Sequence, residues 1–81
     1  MYYLISYDLA LPGQDYPAII GAIQGLGGVR VLWSTWAVFS TRSAHDIWAD
    51  LVRYLDTNDR LLVTGIDGWQ GSNLMALPAA A

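Results

Sequence analysis

The sequence predicts one small α+β domain whose elements follow the order β-α-β-β-α-β. Two segments repeat apolar residues at helical spacing, and runs of β-branched and aromatic residues flank each of them. The length of 81 residues fits a single domain. We assign residues 1–73 to this domain and residues 74–81 to a C-terminal tail.

The first strand is predicted over Tyr2 to Leu9. This run is rich in aromatic and branched residues and contains no breaker. Apolar side chains alternate onto both of its faces, which is typical of a strand in the middle of a sheet. Leu11-Pro12-Gly13 then predicts a loop.

The first helix is predicted to follow Asp15 as its N-cap, with Pro17 in its first turn. Its apolar stripe has i, i+3, i+4 and i+7 spacing and consists of Tyr16, Ile19, Ile20 and Ile23. The pair Gly27-Gly28 predicts its end. Gly21 and Gly25 weaken the helix, and we interpret them as allowing close approach to the sheet.

The β-rich stretch from Val29 to Ser40 is too long for one typical strand. We therefore divide it near Ser34-Thr35 into a hairpin with almost no loop. Ser43, with Asp46 three residues later, predicts the start of a second helix. The apolar stripe of this helix is the strongest periodic signal in the chain and comprises Ala44, Ile47, Trp48, Leu51, Val52 and Leu55. Trp48, which lies on this stripe, is predicted to be core.

A turn at Asp56–Asp59 and a last strand over Arg60–Ile66 complete the order. This order is the split βαβ pattern of the ferredoxin-like fold. It predicts a four-stranded antiparallel sheet with both helices on one face and the other face uncovered. The tail could add a further edge strand, pair with a partner subunit or fray.

The composition favours a homodimer. Hydrophobic residues make up 54% of the chain, including four Trp and five Tyr, which is more apolar surface than a core of this size easily hides.

The chain has no cysteine, which excludes disulfides and thiolate metal sites. Its net charge of −3 excludes a general basic surface for nucleic acid. With no signal peptide and no apolar run of membrane-spanning length, we expect a cytoplasmic protein without a membrane partner.

Three stretches resemble the CRISPR-associated protein 2 group and the related small SinR-like proteins. They are YYLISYDL, with Asp8 at its end, LWSTWAVFS after a helix and a glycine pair, and NDRLLVTGI near the end. The resemblance spans roughly residues 1–70. It implies a symmetric dimer with sheets packed face to face. It also implies that Asp8 binds a divalent metal, Mg²⁺ or Mn²⁺, in phosphodiester cleavage.

The segment after the first strand, LALPGQDY, departs from the family pattern because it has no Arg or Lys. One interpretation is a metal-dependent nuclease or nucleic-acid-processing subunit with Asp8 as the catalytic residue. A second is a non-catalytic dimeric module that binds a protein or a small nucleotide in antiviral defence or counter-defence, and a third is a structural module of a larger assembly. The structural alternative for Asp8 is that it caps the following loop.

The other candidate residues each have a structural alternative. Arg30 and Ser34 are candidate nucleic-acid contacts, although a surface salt bridge and a turn role are the favoured alternatives. Trp33 and Trp36 flank the bend and are assigned to the dimer interface. Trp69 is the tryptophan that we most expect to be exposed.

Overall fold

The computed structural model describes residues 1–10 and 16–76. The elements are β1 (Tyr2–Asp8), α1 (Pro17–Gly25), β2 (Val29–Leu32), β3 (Thr35–Phe39), α2 (Ala44–Val52) and β4 (Arg60–Ile66). The strands form one antiparallel sheet in the order β2-β3-β1-β4. This confirms the ferredoxin-like α+β fold and the central place of β1. No helix in the described part of the chain is long and apolar enough to cross a bilayer.

A single core lies between the helices and one side of the sheet. Alternate residues of β1 point into it, and both helices contribute one buried stripe. Strand side chains alternate between faces, so every second residue of β1 points toward the helices. Each helix in turn buries residues that are four positions apart and therefore lie on one of its sides. The buried members are Tyr3, Ile5, Tyr7, Ile19, Ile23, Trp36, Val38, Ile47 and Leu51.

Helix α1 begins at Pro17 with Tyr16 as its N-cap, while the predicted cap Asp15 lies outside the described residues. Gly27 follows the helix with a φ of 83°, the left-handed conformation that glycine adopts most easily. A Cβ placed on Gly21 or on Gly25 would meet no atom of the described residues within 4 Å. The interpretation that these glycines allow close approach to the sheet is therefore wrong.

Helix α2 begins as predicted, since the Ser43 hydroxyl accepts a hydrogen bond of 3.1 Å from the Asp46 amide. Ile47 and Leu51 are buried. Trp48, however, is 40% exposed, so its assignment to the core is wrong. One residue advances a helix by about 100°, which turns Trp48 away from the stripe that holds Ile47.

The β2–β3 hairpin has a two-residue connection, Trp33-Ser34, which confirms the predicted tight bend. Its register shifts between Arg30 and Leu32, as at a β-bulge. The chain after β4 then reaches the free edge of β2, where the Met75 amide donates to the Val31 carbonyl at 2.9 Å. The described part of the tail therefore lies beside its own sheet, and residues 77–81 lie outside the described residues.

Candidate functional site

The side of the sheet opposite the helices, here called the open face, carries alternate residues of β1, β3 and β4 in cross-strand rows. The register places them as Phe39–Tyr2–Ile66, then Ala37–Leu4–Thr64, then Thr35–Ser6–Leu62, and finally Asp8–Arg60. The face is thus mainly apolar over the first two rows. Its third row carries two hydroxyl side chains, and its fourth is a pair of opposite charges.

Exposure on the open face is uneven. Ala37, in the middle, is fully buried, whereas Phe39 is 55% and Leu62 is 60% exposed. The Tyr2 and Phe39 rings meet edge to face with centroids 5.1 Å apart. Large apolar side chains therefore reach solvent in the first and third rows of the face, where they do not contribute to the core of a monomer.

Asp8 and Arg60 form the charged end of the open face. The pairing of β1 with β4 sets them side by side, and the Asp8 Oδ2 lies 4.0 Å from the Arg60 Nη1. Their side chains are 75% and 83% exposed. An exposed ion pair at this distance contributes little to stability. Both groups can therefore turn toward a ligand at small cost.

A shallow cavity of about 210 Å³ adjoins this pair. It is lined by Ser6, Tyr7, Asp8, Arg60, Leu61 and Leu62. Ser6 also shares a hydrogen bond of 3.0 Å with the Thr35 hydroxyl. The cavity thus joins a carboxylate, a guanidinium and a hydroxyl to an apolar wall, a combination that suits a small anionic or polar group.

The sequence-predicted Ser34 does not line this cavity. Its carbonyl accepts a hydrogen bond of 3.1 Å from the Tyr7 amide, which fastens the hairpin bend to β1. The hairpin role favoured from the sequence fits this contact.

Arg30 lies away from the Asp8–Arg60 pair. The register pairs it with Trp36, which points to the helix side, and its guanidinium carbon lies 4.7 Å from the Trp36 ring centroid and 5.0 Å from that of Trp33. Trp36 is itself buried and donates from Nε1 to the Tyr7 hydroxyl at 3.2 Å. Of the two tryptophans assigned to an interface, Trp33, which is 66% exposed, is the one with surface to offer a partner.

Asp59 is a residue that sequence reasoning missed. Its Oδ1 accepts a hydrogen bond of 2.6 Å from the Ala10 amide and one of 3.5 Å from the Tyr16 hydroxyl, and its Oδ2 accepts one of 2.8 Å from the Asp56 amide. It therefore joins the start of the β1–α1 connection to the turn before β4. The turn pattern Asp56–Asp59 is a local signal for the bond from the Asp56 amide. The bond from the Ala10 amide joins residues 49 positions apart, and no local pattern indicates it.

The acidic side chains of one chain are spread apart. Within residues 1–10 and 16–76, no three Asp or His side chains are grouped closely enough to hold a metal ion. Mg²⁺ keeps several of its waters and often binds through one or two carboxylates. One copy of Asp8 would therefore offer one carboxylate to such an ion, and two copies would offer two.

Comparison with models of known protein families and with curated proteins gives no match. The functional conclusion therefore rests on two features of the molecule, the open face with its exposed apolar side chains and the Asp8–Arg60 pair at its end.

Proposed function

We propose that this protein works as a symmetric homodimer in which two open faces pack together. Phe39 and Leu62 are large, apolar and exposed. Their burial against a second copy would be the main favourable contribution to the free energy of dimerisation. The same face on both subunits makes a self-complementary contact. Asp8 and Arg60 support this arrangement because each copy brings one charge of each sign to the contact.

We further propose that the dimer acts on phosphodiester bonds of nucleic acid with a divalent cation, Mg²⁺ or Mn²⁺. The observation that carries this proposal is the exposed Asp8 carboxylate beside an exposed guanidinium, at the end of the open face. Asp8 would hold the cation and Arg60 would contact a phosphate oxygen. Arg60 thus provides the positive charge that the segment after β1 lacks.

Each group has a separate task in this proposal. A bound divalent cation polarises a phosphoryl oxygen and activates water as a nucleophile. The Arg60 guanidinium neutralises phosphate charge and can orient the group through two hydrogen bonds. A two-fold axis parallel to β1 keeps corresponding strand ends together, so that the two Asp8 side chains lie at the same end of the dimer.

Cleavage of labelled RNA and DNA oligonucleotides tests this proposal directly. With Mg²⁺ or Mn²⁺ the wild-type protein should cleave one of them, and a chelator should stop the reaction. Asp8→Asn should lower the rate about a hundredfold and Arg60→Gln about tenfold, because each removes a group that stabilises developing charge. Asp56→Asn, which changes an exposed carboxylate in the turn after α2, is the matched control and should keep the rate.

The proposal fails if cleavage persists at the wild-type rate in a folded Asp8→Asn protein. A second candidate function is a non-catalytic dimeric module that binds a protein or a small nucleotide. It is favoured by the sparse acidic groups, since no metal-binding group of three occurs within the described residues. A wild-type dimer that cleaves nothing with either cation would support this second function.

A further inference from the structure

A second pocket lies at the other end of the open face from Asp8. It has a volume of about 360 Å³ and is lined by Tyr2, Ile66, Asp67, Gly68 and Trp69. Tyr2 and Ile66 belong to the first row of the open face, and the other three residues follow the end of β4. The pocket therefore opens at the margin of the face, apart from the Asp8–Arg60 pair.

The lining of this pocket combines aromatic rings with a carboxylate. Tyr2 and Trp69 provide the rings, and Trp69 is 43% exposed, as expected from the sequence, although Trp33 is more exposed. Within residues 1–10 and 16–76, the Asp67 carboxylate has no hydrogen-bond or ion-pair partner, and no arginine lines the pocket. The negative faces of aromatic rings and a free carboxylate both attract cations.

We propose that this pocket binds a guanidinium or alkylammonium group, such as the side-chain end of arginine in a peptide. The rings would lie against the cation and Asp67 would accept its hydrogen bonds. A nucleotide fits this lining less well because its phosphate would meet Asp67 without a neighbouring positive charge. The inference does not depend on the proposed phosphodiester chemistry, since the two sites share no residue. It does require that a dimer contact through the open face leave Asp67 and Trp69, which follow the end of β4, accessible to the ligand.

The test is a titration with two amides that differ in one group. N-acetyl-arginine amide carries the guanidinium, and N-acetyl-citrulline amide replaces it with a neutral urea of the same shape. Binding can be followed at the indole N–H signals by nuclear magnetic resonance. The arginine amide should bind at least about fivefold more tightly than the citrulline amide, because only the former has the charge.

Two variants locate the binding site. Trp69→Ala and Asp67→Asn should each weaken arginine-amide binding about fivefold or more. The matched controls are Trp48→Ala, which removes an exposed tryptophan on α2, and Asp56→Asn, and both should leave it unchanged. The signals of the unaltered tryptophans report that each variant is folded.

Three results would overturn the proposal. These are equal binding of the two amides, unchanged binding in both pocket variants, and binding of adenosine monophosphate in place of the arginine amide. None of them bears on cleavage at Asp8, so this inference and the proposed function can fail separately.

Discussion

Asp59 and Asp8 lie at the same end of the sheet and differ in their surroundings. Asp59 accepts hydrogen bonds from two backbone amides and a tyrosine hydroxyl. Asp8 is largely exposed, with Arg60 at 4.0 Å as its ion-pair partner. A carboxylate that accepts three hydrogen bonds stabilises the fold, whereas an exposed one is available to a ligand.

This difference predicts opposite outcomes for two similar substitutions. Asp59→Ala should lower the free energy of unfolding by about 1–2 kcal/mol, because it leaves the Ala10 and Asp56 amides without this acceptor. Asp8→Ala should change it by about 0.5 kcal/mol or less. Urea denaturation followed by fluorescence measures both values, and equal effects of the two substitutions would refute the distinction.

Sequence reasoning located Asp8 but neither of its spatial neighbours. The strand end is visible in YYLISYDL because a polar residue closes an apolar run. Arg60 and Asp59 come near only through the pairing of β1 with β4, about fifty residues apart in sequence. Trp48 was misplaced for a related reason, since apolar spacing alone does not show how wide a stripe the sheet covers.

At the scale of elements, α1 shows where a glycine is needed. Gly21 lies in the middle of the helix, and a Cβ there would meet open space as far as the described residues show. Gly28 stands just before β2, and a Cβ there would lie 2.7 Å from Ile23 Cγ2 and 2.9 Å from the Ile23 carbonyl oxygen. Close packing therefore requires the glycine that follows the helix, not the one within it.

Alanine at these two positions should have opposite effects. Gly21→Ala should raise the free energy of unfolding by about 1 kcal/mol, because alanine loses less backbone entropy in a helix. Gly28→Ala should lower it, because the contact involves backbone that cannot easily move away. Thermal unfolding by circular dichroism measures both shifts, and a destabilising Gly21→Ala would contradict the account of α1.

Element types followed from the sequence more readily than their pairing did. The last strand was predicted over Arg60–Ile66, and β4 has the same bounds. The hairpin and the Ser43 cap are also confirmed, because both depend on neighbouring residues. The irregular register between Arg30 and Leu32 and the course of the tail to Val31 depend on distant contacts, which local patterns do not contain.

At the scale of the whole molecule, the sheet separates two environments. One side is closed by α1 and α2 around a buried core. The other carries exposed Phe39 and Leu62 between the Asp8–Arg60 pair at one end and the pocket near Trp69 at the other. A small domain gains stability by burying such a face against a second copy, which is the central claim about this protein.

Sedimentation velocity of the wild-type protein beside two arginine variants tests this claim most directly. The wild type should sediment as a species of twice the 8.9 kDa chain mass at micromolar concentration. Leu62→Arg, on the open face, should give a folded monomer, and Trp48→Arg, which changes an exposed apolar residue on α2, should stay dimeric. A wild type that is monomeric up to millimolar concentration, or a Leu62→Arg protein that dimerises as strongly as wild type, would contradict it.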